Sequence, residues 1–418
     1  MLKRQTFICV LCNALFSFGA PQHRIEEQLM AAARILNVRM GVIQLPAIAW
    51  IAFPRQGGLD KSLHIIRCQE GLALGKLHQV HQISRRVMHD EIYASEGRRQ
   101  IDVLLNSGPE YGLALGIFLQ FWISAIICGL AFGGSFLDMW VGGFAGASMR
   151  FMQSRVQDKT KYYLADLCLA TLISFAARGL SSITVPDQLF CYTAITYSGI
   201  VGILPGFLVL TAALEIASRN MMTGGIKVVR ALALTLFIGF ALQLGDQLWR
   251  IKDIHAGCYR PDTFPWYLRS WPWWTQIFAV PIFSALASLG NQQPWRSWDF
   301  PVMVVISCAA YAANWAANHF IHSRLEFVAF IGAFVVGLIG SVYSRVAKRT
   351  AFTVMVTGVC FLVPSGLAET GGISAQDNAI PIEYAMIRTG LGIAVGLLFS
   401  AILTYSIGGT KHSGTMTF

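Results

Sequence analysis

Beyond Tyr111 the chain is a succession of apolar runs of about 20 residues, broken by short polar stretches, whereas the residues before it alternate apolar and polar positions on a much shorter scale. Runs of that length cross a hydrocarbon layer as helices. They fall near 111–131, 136–150, 162–180, 188–205, 228–248, 273–290, 300–319, 325–344, 350–367 and 385–407. The second is the shortest and contains Asp138. Pro186-Asp187 breaks the chain ahead of the fourth, and Phe207 to Ser218 prolongs that run past the length one crossing requires. In the front segment, Ile25, Leu29, Ala32, Ala33 and Leu36 recur at helical spacing. Val38 to Phe53, interrupted by Pro46 and closed by Pro54-Arg55-Gln56-Gly57-Gly58, reads as one or two strands ending in a turn, and Leu63 to Cys68 as a further strand. Leu77, Val80, His81, Ser84, Val87 and Met88 line one face of another helix, and Ser95 is placed to cap a last one running to Leu105. The predicted fold is mainly α: a polytopic membrane protein of about ten transmembrane helices in two five-helix inverted repeats, preceded by a small α+β soluble domain.

Composition agrees. Of 418 residues 55% are hydrophobic and 13% charged, against roughly a quarter charged in soluble proteins, and the mean hydropathy is +0.53. Residues 1–110 hold 13 of the 32 Lys and Arg and 9 of the 22 Asp and Glu. The boundaries that follow are 1–110 for an N-terminal cytosolic domain, 111–248 for a first membrane repeat, 249–272 for an aromatic-rich outer loop and 273–418 for a second repeat. Nine cysteines scattered through apolar runs exclude a disulfide-stapled secreted domain. Met1, Lys3, Arg4 and the run Phe7 to Phe16 have the outline of a secretory signal, but the run is short, carries Cys9, Cys12 and Asn13, and leads directly into a helical segment. Cys9-x-x-Cys12 has redox spacing without the strand and helix such a motif needs, so it reads as buried packing.

The formal net charge of +10 needs no nucleic acid, because basic residues gather in cytoplasmic loops of membrane proteins. With the N-terminus inside, the inner loops and span ends of the membrane body carry twelve Lys and Arg and the outer ones seven. Both termini are therefore expected on the cytosolic side, in a plasma or internal membrane that the sequence does not specify. Trp266, Tyr267 and Trp271 suit an interfacial belt.

The chain also echoes itself. Pro205 is followed by Arg230 and an apolar run, and Pro364 is followed by Arg388 and another at almost the same interval. Moving the first span along the chain by the distance between the two prolines brings its start beside that of the sixth. Five spans per repeat is an odd number, which turns one half upside down relative to the other.

Ala14 to Glu27, Glu70 to Leu77, Val87 to Ile92, Gly202-Ile203-Leu204-Pro205-Gly206 with Ser218-Arg219-Asn220 and Gly224-Gly225, and Val363-Pro364-Ser365-Gly366 form a set of motifs. Together they resemble the threonine/serine exporter family, in its branch of fungal pheromone-regulated membrane proteins. The resemblance covers essentially the whole chain. It implies a five-plus-five membrane domain behind a soluble domain and, from characterised bacterial members, export of threonine and serine. Ser365 interrupts the Pro-Gly form of the second motif.

Charged side chains inside hydrocarbon cost roughly 2.5–3.5 kcal/mol each, so carboxylates within spans are functional candidates. Asp138, Asp166, Glu215 and Asp246 qualify. Glu215 stands first: Pro205 removes an amide donor and leaves the Val201 carbonyl unpaired, and Gly206 admits a ligand close to the backbone. A zwitterionic amino acid could place its ammonium on Glu215 and its carboxylate at a helix N-terminus. Asp166 and Asp246, near span ends, read first as boundary residues and second as substrate or coupling sites. Asn314, Asn318 and His319 form a polar stripe that interhelical hydrogen bonding would explain, with Asn314 the substrate-facing candidate, and Pro364 is kept as the second-half counterpart of Pro205. Gly-x-x-x-Gly spacings at 112, 142, 202 and 392 suit close helix packing. His78-x-x-His81 with His89 lacks a zinc signature, and those histidines read as a solvated helix face. No metal, cofactor or catalytic residue is expected. The expected activity is secondary transport exporting small polar amino acids such as threonine and serine, with the lipid bilayer and a small-molecule substrate as partners, no nucleic acid, and homo-oligomers left open. The competing reading is a non-transporting, regulated membrane protein acting through its N-terminal domain in a surface or fusion event.

Overall fold

The computed structural model describes residues 2–54, 61–68, 71–156, 159–183, 189–249, 264–320, 325–347, 351–371 and 382–407. The turn expected at 55–58, the Pro186-Asp187 break and most of the loop expected at 249–272 lie outside the described residues. The chain is mainly helical with one small sheet, and it divides into two compact units.

The first unit comprises Met1–Glu110, Thr211–Val228 and Asn291–Ser297. It begins with helix α1, Leu2–Ser17, whose Phe7, Ile8, Leu11, Cys12 and Leu15 are fully buried. The signal-like run is thus interior, and Cys9 and Cys12 are free thiols within it. Helix α2, Gln22–Ile35, buries the Ile25, Leu29, Ala32 and Ala33 stripe. Strands β1 (Gly41–Leu45), β2 (Ile48–Pro54) and β3 (Lys61–Arg67) form an antiparallel sheet in that order. Pro46 and Ala47, the latter at φ 64°, make the turn between the first two. Alternation along β2 buries Ala49, Ile51 and Phe53 on one face, while Ile43, Trp50 and Ile65 line the exposed other face in cross-strand register. Helix α3 spans Leu74–Met88 and α4 Ala94–Asn106, and α4 packs on α1. Ser95 does not cap α4: the cap position is Tyr93, which makes no side-chain cap bond, so Ser95 lies inside the first turn. The far end of α4 is held instead by Lys76, whose ammonium donates to the carbonyls of Ser107 (2.8 Å) and Leu104 (3.4 Å), as cations do at helix C-termini. At the start of α3, the amides of Leu74 and Gly75 donate to the carbonyls of Asn291 and Gln292, which ties the 291–297 segment into this unit.

The second unit comprises Tyr111–Leu210, Val229–Gly290 and Trp298–Phe418. Its helices are α5 (Leu113–Leu130), α6 (Phe136–Arg155), α7 (Lys159–Ser181), α8 (Tyr192–Gly199), α9 (Gly206–Ala217), α10 (Met221–Leu248), α11 (Gln276–Gly290), α12 (Asp299–Phe320), α13 (Leu325–Ala347), α14 (Ala351–Gly371) and α15 (Ile382–Ile407). The last turns of α9 and the first of α10 belong to the first unit. Among the described residues, seven helices are long and apolar enough to cross a membrane, and α8 with α9 adds an eighth crossing if the bent pair counts as one. Helices α6 and α14 occupy the positions expected of spans two and nine but fall outside that count. Asp138 explains how α6 tolerates an acid at its head: its carboxylate and the Ser135 hydroxyl cap each other's backbone amides, and its other oxygen accepts the Cys191 amide at 2.9 Å. The two prolines differ. Pro205 sits at a 56° bend, whereas Pro364 falls inside the unbroken helix α14.

Candidate functional site

Helices α7 and α10 run side by side and parallel. Near the start of α7 and about a third of the way along α10, Arg230 donates to the Tyr163 hydroxyl. Farther along, the Ser174 hydroxyl donates to the Leu242 carbonyl at 2.7 Å, and the Phe175 ring meets Trp249 at 4.9 Å. Two polar clusters result, separated along α7 by about 18 Å at 1.5 Å rise per residue.

The cluster at the start of the pair opens onto a cavity of about 520 Å³ lined by Gln153, Tyr162, Asp166, Gly202, Ile203 and Arg230, among others. Gly202 and Ile203 belong to the short 3₁₀ turn that closes α8 just ahead of Pro205. Here the α-helical ladder stops: the Ile203 amide returns to the Ile200 carbonyl, and the Gly206 amide to Leu204. Asp166 is buried and accepts from the Gln153 amide at 3.2 Å. An acid and a base thus line one apolar-walled cavity beside the helix break. Sequence reasoning named Asp166 but treated it as secondary, and named Arg230 only as part of the internal echo and the basic-residue count; it did not single out Gln153 or Tyr163, whose sequence signal was their position near span ends.

The other cluster pairs Arg178 with Asp246 at 3.0 Å. The guanidinium lies over the Tyr192 ring, 5.3 Å from its centroid, and the Tyr192 hydroxyl is 2.7 Å from that of Ser174. Asp246 therefore has a basic partner within the helix layer.

Glu215 lies elsewhere, in the first unit. It is fully buried near the end of α9, and its Oε1 receives both the Lys227 ammonium (2.5 Å) and the Gln22 amide (3.1 Å). Helix α2 has Pro21 at its cap position with no local side-chain cap, so a carboxylate 193 residues away satisfies its first amide. The hairpin that presents the pair turns at Arg219 (φ 62°) and Asn220. Gly224 lets its arms close, because a Cβ there would come within 3.0 Å of the Ile216 side chain. Beside the pair, His23 is buried with neither ring nitrogen hydrogen-bonded among the described residues, and burial lowers its pKa to about 3, Arg24 and Lys227 adding to the effect.

Asn314 is buried in α12, whereas Asn318 and His319 are exposed and His319 stacks on Trp315, so the three do not share one site. His81 is half-buried with its Nδ1 3.0 Å from the Gln28 amide, not on a solvated face, and burial lowers its pKa to about 3. Among the described residues no group of three or more His, Cys, Asp or Glu could hold a metal ion.

Helices long and apolar enough to cross a membrane, one of them broken beside a cavity that bears charged residues, define a multi-pass membrane protein. Residues 6–249 match the family model described as "Putative threonine/serine exporter", and the chain belongs to that family. Among curated relatives, pheromone-regulated membrane protein 10 of Pichia sorbitophila is 32% identical over 444 residues, covering 100% of this chain and 44% of that protein. Its namesake in Saccharomyces cerevisiae is also 32% identical, covering 98% of this chain and 55% of its own length. The chain thus spans about half the length of the curated relatives it matches. No solved structure matches.

Proposed function

We propose that the protein is a secondary transporter that moves small zwitterionic amino acids, threonine and serine first among them, and that the cavity beside the Pro205 break is where the cargo binds. The observation that carries this reading is the placement of Asp166 and Arg230 on one cavity. A zwitterion offers an ammonium to the first and a carboxylate to the second, and Gln153, Tyr162 and Tyr163 supply hydrogen-bonding partners for a side-chain hydroxyl. The cavity exceeds what one such amino acid fills, which leaves room for water or for closure around the cargo. The family match supports the transport class, and the name of the family supports the cargo.

On this reading both termini are cytosolic. After three crossings by α5, α6 and α7 the chain emerges outside just before Cys191, which is disulfide-bonded, as expected in an oxidising compartment. The same reading keeps an N-terminal cytosolic part, 1–110, ahead of two membrane repeats. Efflux of a labelled amino-acid panel from vesicles containing only this protein tests the reading. Threonine and serine should leave faster than leucine or glutamate, and Asp166→Asn should abolish the difference in a protein that still inserts. Equal leakage of every solute in the unmodified protein would overturn it.

A further inference from the structure

The second unit contains another pair of parallel neighbouring helices, α13 and α15. Glu326 meets Arg388 near their starts, and Arg345 donates to the Thr404 carbonyl near their ends. Between these points the backbones nearly touch: a Cβ on Gly392 or Gly396 would come closer than 3.0 Å to the carbonyl of Glu326 or Phe330. The arrangement repeats that of α7 and α10, and the residues correspond. Moving along the chain from Asp166 by the distance that separates Pro205 from Pro364 ends immediately before Glu326, and the same step from Arg230 ends immediately after Arg388. Each pair of helices carries one acid on the earlier member and one arginine on the later.

What differs is the state. The Arg388 guanidinium grips both oxygens of Glu326, with Nη2 2.6 Å from Oε2, in the bidentate form that most strongly joins these groups. The first-half residues instead face a cavity, Asp166 bonded to Gln153 and Arg230 to Tyr163. The helix breaks follow the same division, bent at Pro205 in the first half and unbroken at Pro364 in the second. Next to the ion pair, Thr389 is 1% exposed and its hydroxyl has no hydrogen-bond partner among the described residues. An unpaired buried hydroxyl is costly and calls for a partner that another state would supply.

We propose that Glu326, Arg388 and Thr389 form a second binding position for the zwitterion, self-closed in this state, so that the acid–base pair acts as a gate. This deepens the transport reading and rests on it. An ion pair is the intramolecular equivalent of the two charges of the cargo: when the pair parts, Glu326 faces an ammonium, Arg388 a carboxylate and Thr389 a hydroxyl. In an inverted pair of five-span repeats, equivalent positions lie on opposite faces of the membrane. One position open and its counterpart shut is then the arrangement alternating access requires.

The test uses the purified chain carrying Thr389→Cys, with the rate of maleimide addition at that position read by mass spectrometry. Addition should be slow with Glu326 present and about fivefold or more faster with Glu326→Gln, the size of a typical coupling between sites. Exchanging the charges, Glu326→Arg with Arg388→Glu, should restore slow addition. Glu326→Asp, which keeps the charge on a shorter arm, should fall between and serves if the neutral variant misfolds. Equal rates in the parent and a monodisperse Glu326→Gln protein would overturn the gate, as would fast addition in the exchanged pair. Labelling that follows the pair in a protein that moves no amino acid would sustain the gate while removing the cargo assignment.

Discussion

The ammonium of Lys227 lies 2.5 Å from the carboxylate of Glu215, across the turn between α9 and α10, and both side chains are buried. The carboxylate that sequence reasoning offers to a substrate is therefore already engaged, by a lysine and by the first amide of α2.

Breaking that pair from one side should be costly, because an uncompensated buried charge destabilises by about 3–5 kcal/mol. Lys227→Met should lower the thermal midpoint of the detergent-solubilised protein more than Glu215→Gln does, since the amide still accepts from Gln22. Combining the two should recover part of the loss. Additive losses in the double variant would show that the two residues act separately.

The acid limb of stability should trace to the buried histidines. The folded pKa of His23 is about 3 against an ordinary 6.5, so below about pH 6.5 the unfolded chain binds a proton that the folded chain does not. Stability conferred by the neutral imidazole is then complete above pH 6.5 and declines as pH falls toward 3. His81 acts in the same sense. His23→Phe should flatten the decline and raise the midpoint, because it also removes two unsatisfied ring nitrogens. Melting curves at pH 7 and pH 5 measure both, and an unchanged slope would assign the limb to other groups.

Arg178 and Asp246 should depend on each other. Asp246→Asn takes the charged partner from a nearly buried guanidinium, leaving it over the Tyr192 ring, and should lower stability by about 3 kcal/mol. Arg178→Gln in the same protein should relieve part of that loss, by the same thermal measurement. Loss of flux in Asp246→Asn without loss of stability would instead move this pair into the transport path.

Orientation can be read at Cys191. In intact cells its thiol should be unreactive until an impermeant phosphine reductant is added outside, and should then take up an impermeant maleimide. Reactivity only after permeabilisation would turn the proposed topology over.

Most of the long apolar helices were legible because burial in lipid and in protein both demand apolar length, and length is written directly in a sequence. Seven or eight rather than ten, however, are long and apolar enough to cross among the described residues. Ile25, Leu29 and Ala33 marked the buried face of α2, and Pro205 the helix break, for equally local reasons: helical periodicity and a missing amide. The cap of α4 failed because Ser95 had the right chemistry but falls inside the first turn, past the cap position. What the sequence determined was which carboxylates are expensive to bury. Which partner each one meets was decided only by tertiary structure, since Gln22 and Glu215, Arg178 and Asp246, and Glu326 and Arg388 are brought together by helix packing across long separations. An isolated acid in an apolar run looks the same whether its charge is answered by a lysine across a hairpin, by an arginine on a neighbouring helix, or by a cavity open to a passing solute.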